Sequence, residues 1–420
     1  MLYKPDGLKT DIPTEASPSS PVMAEVIKNK QFQGMNGFTL LIMVMAMTPW
    51  IFGDYEVFGF KITGWSWVIP LVVSSLICLI YINLITFPVS LWAPWIIILL
   101  IYWFFGRHNP DATQSLLQVL SPLAVGFAAS IYRPSNQQLE NIVRWLTKLV
   151  WIVWILLLIR FPMILLGALP GHGFMTAEMI GILLLGACYV SFYVCGGGNR
   201  HLYLYIMLIV ATILSLTRGP LVAMLSCLPA TMAPLQRHKR LIMCIIIITC
   251  ALIIFNTDRM QRRMFHSGGG NIEDLFWHNP NLIKSGRESM WETLWHGVAE
   301  KPYLGNGWNS HRIAILQMGY FTYAPHNDWL KLLYDIGCVG TSLYLISMIF
   351  QMFYLIKIAR QATGAYQMLV YGAASAFVPY SLIMLTDNVI LYVQFFGNLH
   401  FTLIGIIYGA LRQDKVTDDI

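Results

Sequence analysis

The chain has 420 residues, of which 56% are hydrophobic and only 11% are charged. Soluble domains carry about 25% charged residues, so this composition excludes a soluble globular protein and predicts an all-α polytopic membrane protein. The formal net charge of +6 comes from basic residues between apolar segments, as expected for membrane topology. A nucleic-acid partner is therefore not expected, whereas membrane lipid is.

About twelve apolar segments have lengths that suit transmembrane helices. They cover residues 37–52, 64–85, 91–105, 115–132, 142–167, 177–196, 201–216, 219–235, 241–255, 339–360, 367–385 and 389–411. Lys and Arg are concentrated before the first segment, in alternate connections and after the last segment, which places both termini in the cytoplasm.

This topology divides the chain into five parts. Residues 1–36 are polar, rich in proline and serine, and typical of a disordered tail, and residues 413–420 form a second cytoplasmic tail. Residues 37–255 contain the first nine spans. Residues 256–327 form one large loop on the outer side, and residues 328–412 contain a short helix and the last three spans.

The outer loop, residues 256–327, begins with a basic and then glycine-rich stretch that we expect to be mobile. Its second part predicts a helix from about Gly286 to Glu300, because Ser285 and Glu288 have the spacing of a capping box and apolar residues follow at helical spacing. Arg287 then lies in the first turn, where free backbone N–H groups and the helix dipole favour an anion.

Arg218 has a comparable setting in the short outer connection TRGP. Pro220 suits the first position of a helix, so Arg218 stands beside a helix start on the side that is otherwise poor in positive charge. Contact with lipid headgroups would also explain this residue. Because arginine forms paired hydrogen bonds with phosphate oxygens, Arg218 and Arg287 together match a diphosphate.

The most polar stretch is HNDWLKLLYDIG, at residues 326–337. Asn327 or His326 can cap the helix that follows, Asp328 fits its first turn, and Gly337 predicts its end or a break before the tenth span. Capping explains Asn327 and Asp328 without any chemistry. His326 is either a hydrogen-bonded interfacial histidine or a general base, because imidazole accepts a proton near neutral pH.

Four other residues bear on this stretch. Asp387 lies in the short outer connection between the last two spans, where it could be solvated, cap the last helix, orient His326 or hold a sugar hydroxyl. Lys331 and Asp335 are four residues apart on one helix face and could pair. His311 in GNGWNSH is a second, less favoured candidate base.

By topology, Arg218, Arg287, His326 and Asp387 all lie at the outer face. Glycosyl transfer from a lipid-linked sugar diphosphate needs stabilisation of the departing pyrophosphate and removal of a proton from the attacking hydroxyl. The two arginines and His326 suit these tasks, with Asp387 and Asn327 in supporting positions. The sequence shows no metal-ligand spacing, so we expect neither a metal nor another cofactor.

Four motifs together resemble the O-antigen ligase and polymerase superfamily: TRGP at 217–220, SGRESMW at 285–291, GNGWNSH at 305–311 and HNDWLKLLYDIGCVG at 326–340. The resemblance implies a metal-independent, multi-span glycosyltransferase of GT-C type in the bacterial inner membrane, acting on undecaprenyl-pyrophosphate-linked glycan in the periplasm. It also implies that Arg218 and Arg287 hold the pyrophosphate, that His326 activates the acceptor, and that Asp387 is a functional acid.

The chain departs from the superfamily at one position. Where an aromatic or aliphatic residue usually follows HN, this chain has Asp328, and Trp329 comes after it. The departure bears on the register at which the helix starts, not on the role implied for His326.

Within the superfamily we expect an O-antigen ligase, which transfers the glycan to a hydroxyl of lipid A–core with inversion. O-antigen polymerase is the first alternative, and transfer to a protein is less favoured because no additional C-terminal periplasmic domain is evident. A membrane transporter is the alternative from another class. Transporters place ionisable residues near the middle of the membrane, whereas here only Arg160 is clearly intramembrane.

Overall fold

The computed structural model of the chain describes eleven stretches of residues: 37–42, 44–45, 56–57, 60–61, 65–105, 110–165, 179–215, 217–275, 287–319, 324–391 with 393, and 396–417. The predicted N-terminal tail and residues 418–420 lie outside the described residues.

The described part of the chain is helical apart from one small hairpin. Its two-residue strands β1 (Glu56–Val57) and β2 (Phe60–Lys61) pair antiparallel. The helices are α1 (Val68–Ile80), α2 (Ala93–Phe105), α3 (Pro110–Ala129), α4 (Asn136–Leu165), α5 (Leu183–Val194), α6 (Asn199–Ser215), α7 (Arg218–Ser226), α8 (Arg237–Phe255), α9 (Asp258–Met264), α10 (Arg287–Glu300), α11 (Ser310–Gln317), α12 (Asp328–Gln361), α13 (Gly364–Ile383) and α14 (Gly397–Thr417). Short 3-10 turns occupy Ile82–Leu84, Val89–Leu91 and Ile272–Leu275.

Among the described helices, three are long and apolar enough to cross a membrane: Asp111–Ala129, Asn136–Ile159 and Asp328–Gln361. Shorter apolar helices accompany them at Val68–Ile80, Ala93–Phe105, Met179–Val194, Asn199–Ser215 and Gly397–Leu411. The all-α membrane fold is thus confirmed at this level, and the count of twelve spans stays a prediction.

Small residues let the central helices approach one another closely. Helix α13 packs against α5, α7 and α12, and α14 packs against α3. A Cβ atom on Gly372 of α13 would lie 2.9 Å from the sulfur of Cys188 in α5, and one on Gly405 of α14 would overlap the backbone of α3. Close approach through small residues is the usual way in which membrane helices associate, because lipid gives no hydrophobic drive for helix pairing.

Two helices are shorter than the apolar segments that predicted them. Helix α7 ends at Ser226, although residues 219–235 predicted a span, because Pro229 and Pro234 interrupt that segment. Its nine residues reach about 14 Å, less than half of a hydrocarbon core of about 30 Å. Helix α14 begins at Gly397 and not near residue 389.

The first part of the outer loop is more structured than expected. Helix α9 forms within the basic stretch, and Phe265 after it is buried. The Gln261 side chain accepts a hydrogen bond from the N–H of Gly270 at 2.7 Å and donates one to the carbonyl of Phe255 at 2.9 Å. The first of these bonds holds Gly270, the last of three consecutive glycines, against α9.

The second part of the loop packs on the start of α12. Helix α10 begins at Arg287 and ends at Glu300, as the capping pattern predicts, although Ser285 itself lies outside the described residues. Met290 and Leu294 of α10 are buried against Leu330 of α12. We call the end of the bundle that carries residues 287–319 the loop end.

Helix α12 is broken at Gly337, which has φ 64° and ψ −172°. The turn that precedes α11 lies directly on this break: Gly307 N–H donates to the Asp335 carbonyl at 2.9 Å, and Cys338 N–H donates to the Pro302 carbonyl at 2.8 Å. A Cβ atom on Gly337 would overlap the Tyr303 carbonyl. The predicted break is therefore present, and it fixes the outer loop to α12 by backbone contacts.

Candidate active site

His326 lies just before α12 in an uncommon backbone conformation. Its φ of 52° makes it one of two non-glycine residues with positive φ in the described part of the chain, the other being Asn309. The Trp291 indole donates to the Pro325 carbonyl at 2.7 Å, and the His326 N–H donates to Asn388 Oδ1 at 2.9 Å. Strained conformations of this kind persist only where neighbouring groups hold them, and here α10 and the α13–α14 connection do so.

Asn327 caps α12. Its side-chain oxygen accepts a hydrogen bond from the N–H of Leu330 at 3.0 Å, which satisfies one of the free N–H groups of the first turn. The capping role predicted for Asn327 is confirmed. His326 is thereby left immediately outside the helix, with its side chain about a quarter exposed.

The imidazole of His326 faces Asp387. Nδ1 lies 3.2 Å from Asp387 Oδ1, and the same oxygen accepts the N–H of Asn388 at 2.8 Å. An ionised carboxylate only accepts hydrogen bonds, so Asp387 favours a proton on Nδ1, whereas the Asn388 amide nitrogen, 3.1 Å from the same atom, favours an unprotonated Nδ1. In the tautomer that Asp387 favours, Nε2 carries the free lone pair, and the pair has the base-and-orienting-group arrangement of acid–base catalysis.

Asn388 is a positioning residue that the sequence did not single out. Its Oδ1 receives the backbone N–H of His326, and its Nδ2 lies 3.1 Å from His326 Nδ1. The only sequence signal was its place next to Asp387, and an Asp-Asn pair between two spans is equally typical of an ordinary turn.

Asp328, in the first turn of α12, also bonds to the α13–α14 connection. It is fully buried, its N–H donates to the Met384 carbonyl at 2.8 Å, and its Oδ2 accepts the N–H of Ile390 at 2.8 Å. Its place in the first turn was predicted, but these bonds to the α13–α14 connection were not. An aromatic or aliphatic residue here would have no oxygen for the Ile390 N–H.

Both arginine segments meet the α13–α14 connection at Thr386. The Arg287 guanidinium donates from Nη1 to the Thr386 carbonyl at 3.2 Å. Gly219, which follows the exposed Arg218 at the start of α7, is so close that a Cβ atom there would lie 2.5 Å from Thr386 Oγ1. We call residues 386–388 the site turn, because the segments of Arg218, Arg287 and His326 all contact it.

His311 belongs to a different pair. It is buried, its Nδ1 lies 2.8 Å from Asp335 Oδ2, and its backbone N–H donates to Asp335 Oδ1 at 3.0 Å. Burial lowers the pKa of His311, and the neighbouring Asp335 carboxylate only partly opposes this shift. With its ring enclosed, His311 has the geometry of a structural histidine and not of a base.

Asp335 is fully committed to this structural role, so it does not pair with Lys331 as the spacing suggested. It also accepts the backbone N–H of Asn309 at 3.1 Å, which makes it the anchor for the start of α11. The Lys331 amine is buried without a hydrogen-bond partner in the described part of the chain, 5.9 Å from the centre of the Trp308 ring.

The arrangement at the site turn contains a histidine–carboxylate pair and an arginine at a helix start, all at the loop end of a helical membrane protein. In the described residues, no three His, Cys, Asp or Glu side chains are grouped as metal ligands. An arrangement of this kind can bind an anionic group at the arginine and move a proton at the histidine.

Residues 203–345 match the family model described as O-antigen ligase, which confirms the chain's resemblance to the O-antigen ligase superfamily. The match covers about a third of the chain and includes Arg218, Arg287 and His326, whereas the site turn lies beyond it. No curated protein matches the chain.

Proposed function

We propose that the protein is an O-antigen ligase, which transfers glycan from undecaprenyl pyrophosphate to a hydroxyl of lipid A–core at the periplasmic face of the bacterial inner membrane. The observation that carries the proposal is the meeting at one turn of His326, through Asp387 and Asn388, with Arg287, through Thr386. The family match supports the same class of reaction.

His326 acts as the general base. Its Nε2 takes the proton of the acceptor hydroxyl, whose oxygen forms the new bond to the anomeric carbon of the donor sugar. The imidazolium that results is stabilised by Asp387, which already lies on the Nδ1 side at 3.2 Å. A positioned base of this kind accelerates a reaction by about 10²- to 10⁴-fold.

Arg287 and Arg218 bind the leaving group. As the new bond forms, the bond between the anomeric carbon and the pyrophosphate oxygen breaks, and its electron pair leaves with undecaprenyl pyrophosphate. The guanidinium charges and the starts of α7 and α10 offset the negative charge that develops there. Attack from the face opposite the leaving group inverts the anomeric carbon.

The distribution of charge favours this reaction over transport. Three acidic or basic side chains are buried in α12, namely Asp328, Lys331 and Asp335, and all precede the break at Gly337 at the loop end. A transporter would hold such groups near the membrane midplane. The side chain of Arg160 lies outside the described residues.

Reconstitution of the purified protein tests the proposal. Undecaprenyl-pyrophosphate glycan is supplied with lipid A–core in one reaction and without it in another, and products are separated by size. We expect product only with lipid A–core. Glycan lengthening without lipid A–core would instead identify a polymerase, and uptake or flipping in vesicles with no glycan transfer would identify a transporter.

Variants of the two arginines test whether glycan transfer depends on the candidate active site. We expect Arg287→Ala and Arg218→Ala to abolish transfer while the protein still inserts into the membrane. Arg144→Ala is the matched control, because Arg144 is exposed on α4 and pairs only with Glu140 among the described residues. Full transfer by a well-inserted Arg287→Ala variant would remove the diphosphate role.

A further inference from the structure

A cavity of about 910 Å³ lies at the loop end, between α2 and the outer-loop segment 301–317. Its volume is at the upper end of the usual range for ligand pockets, about 300–1,000 Å³. The site turn does not line it. The cavity is separate from the proposed chemistry at His326.

The two walls of the cavity differ in chemistry. The α2 wall is apolar and includes Ile98, Ile101 and Phe105, whereas the loop wall carries the polar groups of Asn309, Ser310 and Lys301. A ligand that fits both walls has an apolar part along α2 and a hydroxyl-rich, anionic part along the loop. A glycolipid with a phosphorylated sugar has this composition.

The loop wall is held firmly in place. The Trp308 indole donates to the Ala112 carbonyl at 3.1 Å, and Arg312 forms an ion pair with Asp111 at 2.8 Å. Both bonds join the loop to the start of α3, and the Tyr102 hydroxyl of α2 donates to the Leu304 carbonyl. The cavity is therefore bounded by elements that are fixed to one another.

Asn309 supplies an unused donor in this wall. The residue is only 6% exposed, its backbone is held by Asp335, and its Nδ2 has no hydrogen-bond partner in the described part of the chain. Its φ of 63° is uncommon for a residue other than glycine. Buried polar groups are normally hydrogen-bonded, and a ligand oxygen at this position would satisfy the amide.

The cavity opens beside apolar side chains that are strongly exposed. Phe105 is 80% exposed, Tyr303 is 71% exposed and Leu304 is 64% exposed. Aromatic and aliphatic residues beside an exposed lysine, here Lys301, are typical of the interface between membrane and water. A ligand that is anchored in the membrane can enter the cavity from this rim.

The cavity and the diphosphate arginines lie at opposite ends of α10. Arg287 begins the helix, and Lys301 follows its last residue, Glu300. Fourteen helical residues span about 21 Å at 1.5 Å per residue. A ligand in the cavity does not occupy the positions of the arginines or His326, but an oligosaccharide attached to that ligand can reach them.

We propose that this cavity anchors the membrane-proximal part of the acceptor glycolipid. The acyl region lies along α2, the phosphorylated sugar faces Asn309 and Lys301, and the attached oligosaccharide extends along α10 to present its hydroxyl to His326. This inference rests on the proposed function, since it names the binding site of the acceptor in that reaction.

Binding of lipid A–core to the full chain in detergent tests the anchor without requiring catalysis. Lys301→Glu reverses the charge, and Asn309→Gly removes the amide while keeping a residue that tolerates positive φ. We expect each variant to raise the Kd for lipid A–core about tenfold and to leave the Kd for undecaprenyl-pyrophosphate glycan unchanged. Lys239→Glu, an exposed lysine at the start of α8, is the matched control.

Kinetics separate anchoring from chemistry. With lipid A–core as acceptor we expect Lys301→Glu to raise KM and leave kcat unchanged, and with the lipid-free core oligosaccharide we expect no effect. An unchanged Kd for lipid A–core in both variants overturns the proposal, as does weaker binding of the donor alone, which would place the prenyl tail in the cavity. Weaker lipid A–core binding in a protein that transfers no glycan refutes the proposed function and retains the anchor.

Discussion

The described part of the chain contains two histidine–aspartate pairs at the loop end, and the two pairs differ in their surroundings. His311 and Asp335 are both buried, and the carboxylate also receives backbone N–H groups at the start of α11. His326 is about a quarter exposed, and Asp387 orients it from the site turn. A histidine that acts on a substrate must be accessible, so exposure and not the pairing itself distinguishes the pair that we propose to be reactive.

Lys331 shows a second difference between what the sequence predicts and what the structure contains. Lys331 lies near Asp335 in sequence, but its amine has no hydrogen-bond partner in the described part of the chain, while Asp335 bonds to the loop. Spacing on a helix predicts which side chains share a face. It does not predict that a loop outside the helix will form hydrogen bonds with the carboxylate instead.

The strongest test of this difference removes the imidazole of the exposed pair. His326→Ala is expected to lower the rate of glycan transfer by about 10²- to 10⁴-fold, the usual contribution of a general base, with little change in thermal stability. His296→Ala, an exposed histidine on α10, serves as the control. Transfer retained by a well-folded His326→Ala variant would refute the base assignment.

Removing the carboxylate of the buried pair is expected to act on stability. Asp335→Ala leaves the N–H groups of Asn309 and His311 unpaired in a buried site, at a cost of about 1–3 kcal/mol for each group. The measurement is thermal unfolding in detergent together with proteolysis of residues 301–319. Asp387→Ala removes the carboxylate of the other pair, and it should reduce the rate of glycan transfer more than it reduces stability. Equal effects of the two variants on unfolding would contradict the comparison.

Variants of Asp328 measure how much its bond to the α13–α14 connection contributes to the stability of the site around His326. Asp328→Ala removes the acceptor for the Ile390 N–H, and a buried donor without a partner costs about 1–3 kcal/mol. Asp328→Asn keeps an acceptor oxygen and should recover most of that loss. Melting temperature and transfer rate are the measurements, and an alanine variant that matches the asparagine variant would show that the Asp328–Ile390 bond is unimportant.

The smallest expected effect is a pH dependence of folding stability that arises from the buried pair, His311 and Asp335. Burial places the folded-state pKa of His311 below its ordinary value of 6.5, against the opposing influence of Asp335. The groups that act on it are Asp335 and Lys331 from α12 and Arg312 from α11. Because the unfolded chain binds the proton more readily, this contribution to stability is complete above pH 6.5 and is lost as pH falls toward the lowered pKa.

Melting temperatures from pH 8 to pH 5 in detergent measure this contribution. His311→Asn retains a donor toward Asp335 but cannot titrate, so its melting temperature should fall less on acidification than that of the unchanged protein. Parallel curves for the two proteins would exclude His311 as the source of the pH dependence.

Local patterns predicted the parts of the site well. Capping and helical spacing predicted α10 and the Asn327 cap, and the glycine at 337 predicted the break in α12. Each of these depends on bonds within a few residues, which a sequence displays directly. The resemblance then attached roles to Arg218, Arg287 and His326, and the structure brings the segments of all three to the site turn.

The missing parts depend on contacts between distant segments. Asn388 receives the N–H of His326 across 62 residues, and Asp328 receives the N–H of Ile390 across the same separation. Neither bond leaves a periodic signal in the sequence. Hydropathy also overestimated α7, because apolar composition continues through Pro229 although the helix does not.

The position of the site turn has a practical consequence for anyone who shortens this protein. A fragment cut at the limits of the family match, residues 203–345, would retain both arginines and the histidine. It would lose Asp387, whose carboxylate faces His326 Nδ1, and Asn388, whose amide oxygen accepts the backbone N–H of His326. Such a fragment would carry the recognisable motifs without the contacts that position His326, so gene dissection, tag insertion or chimera design should leave the α13–α14 connection intact.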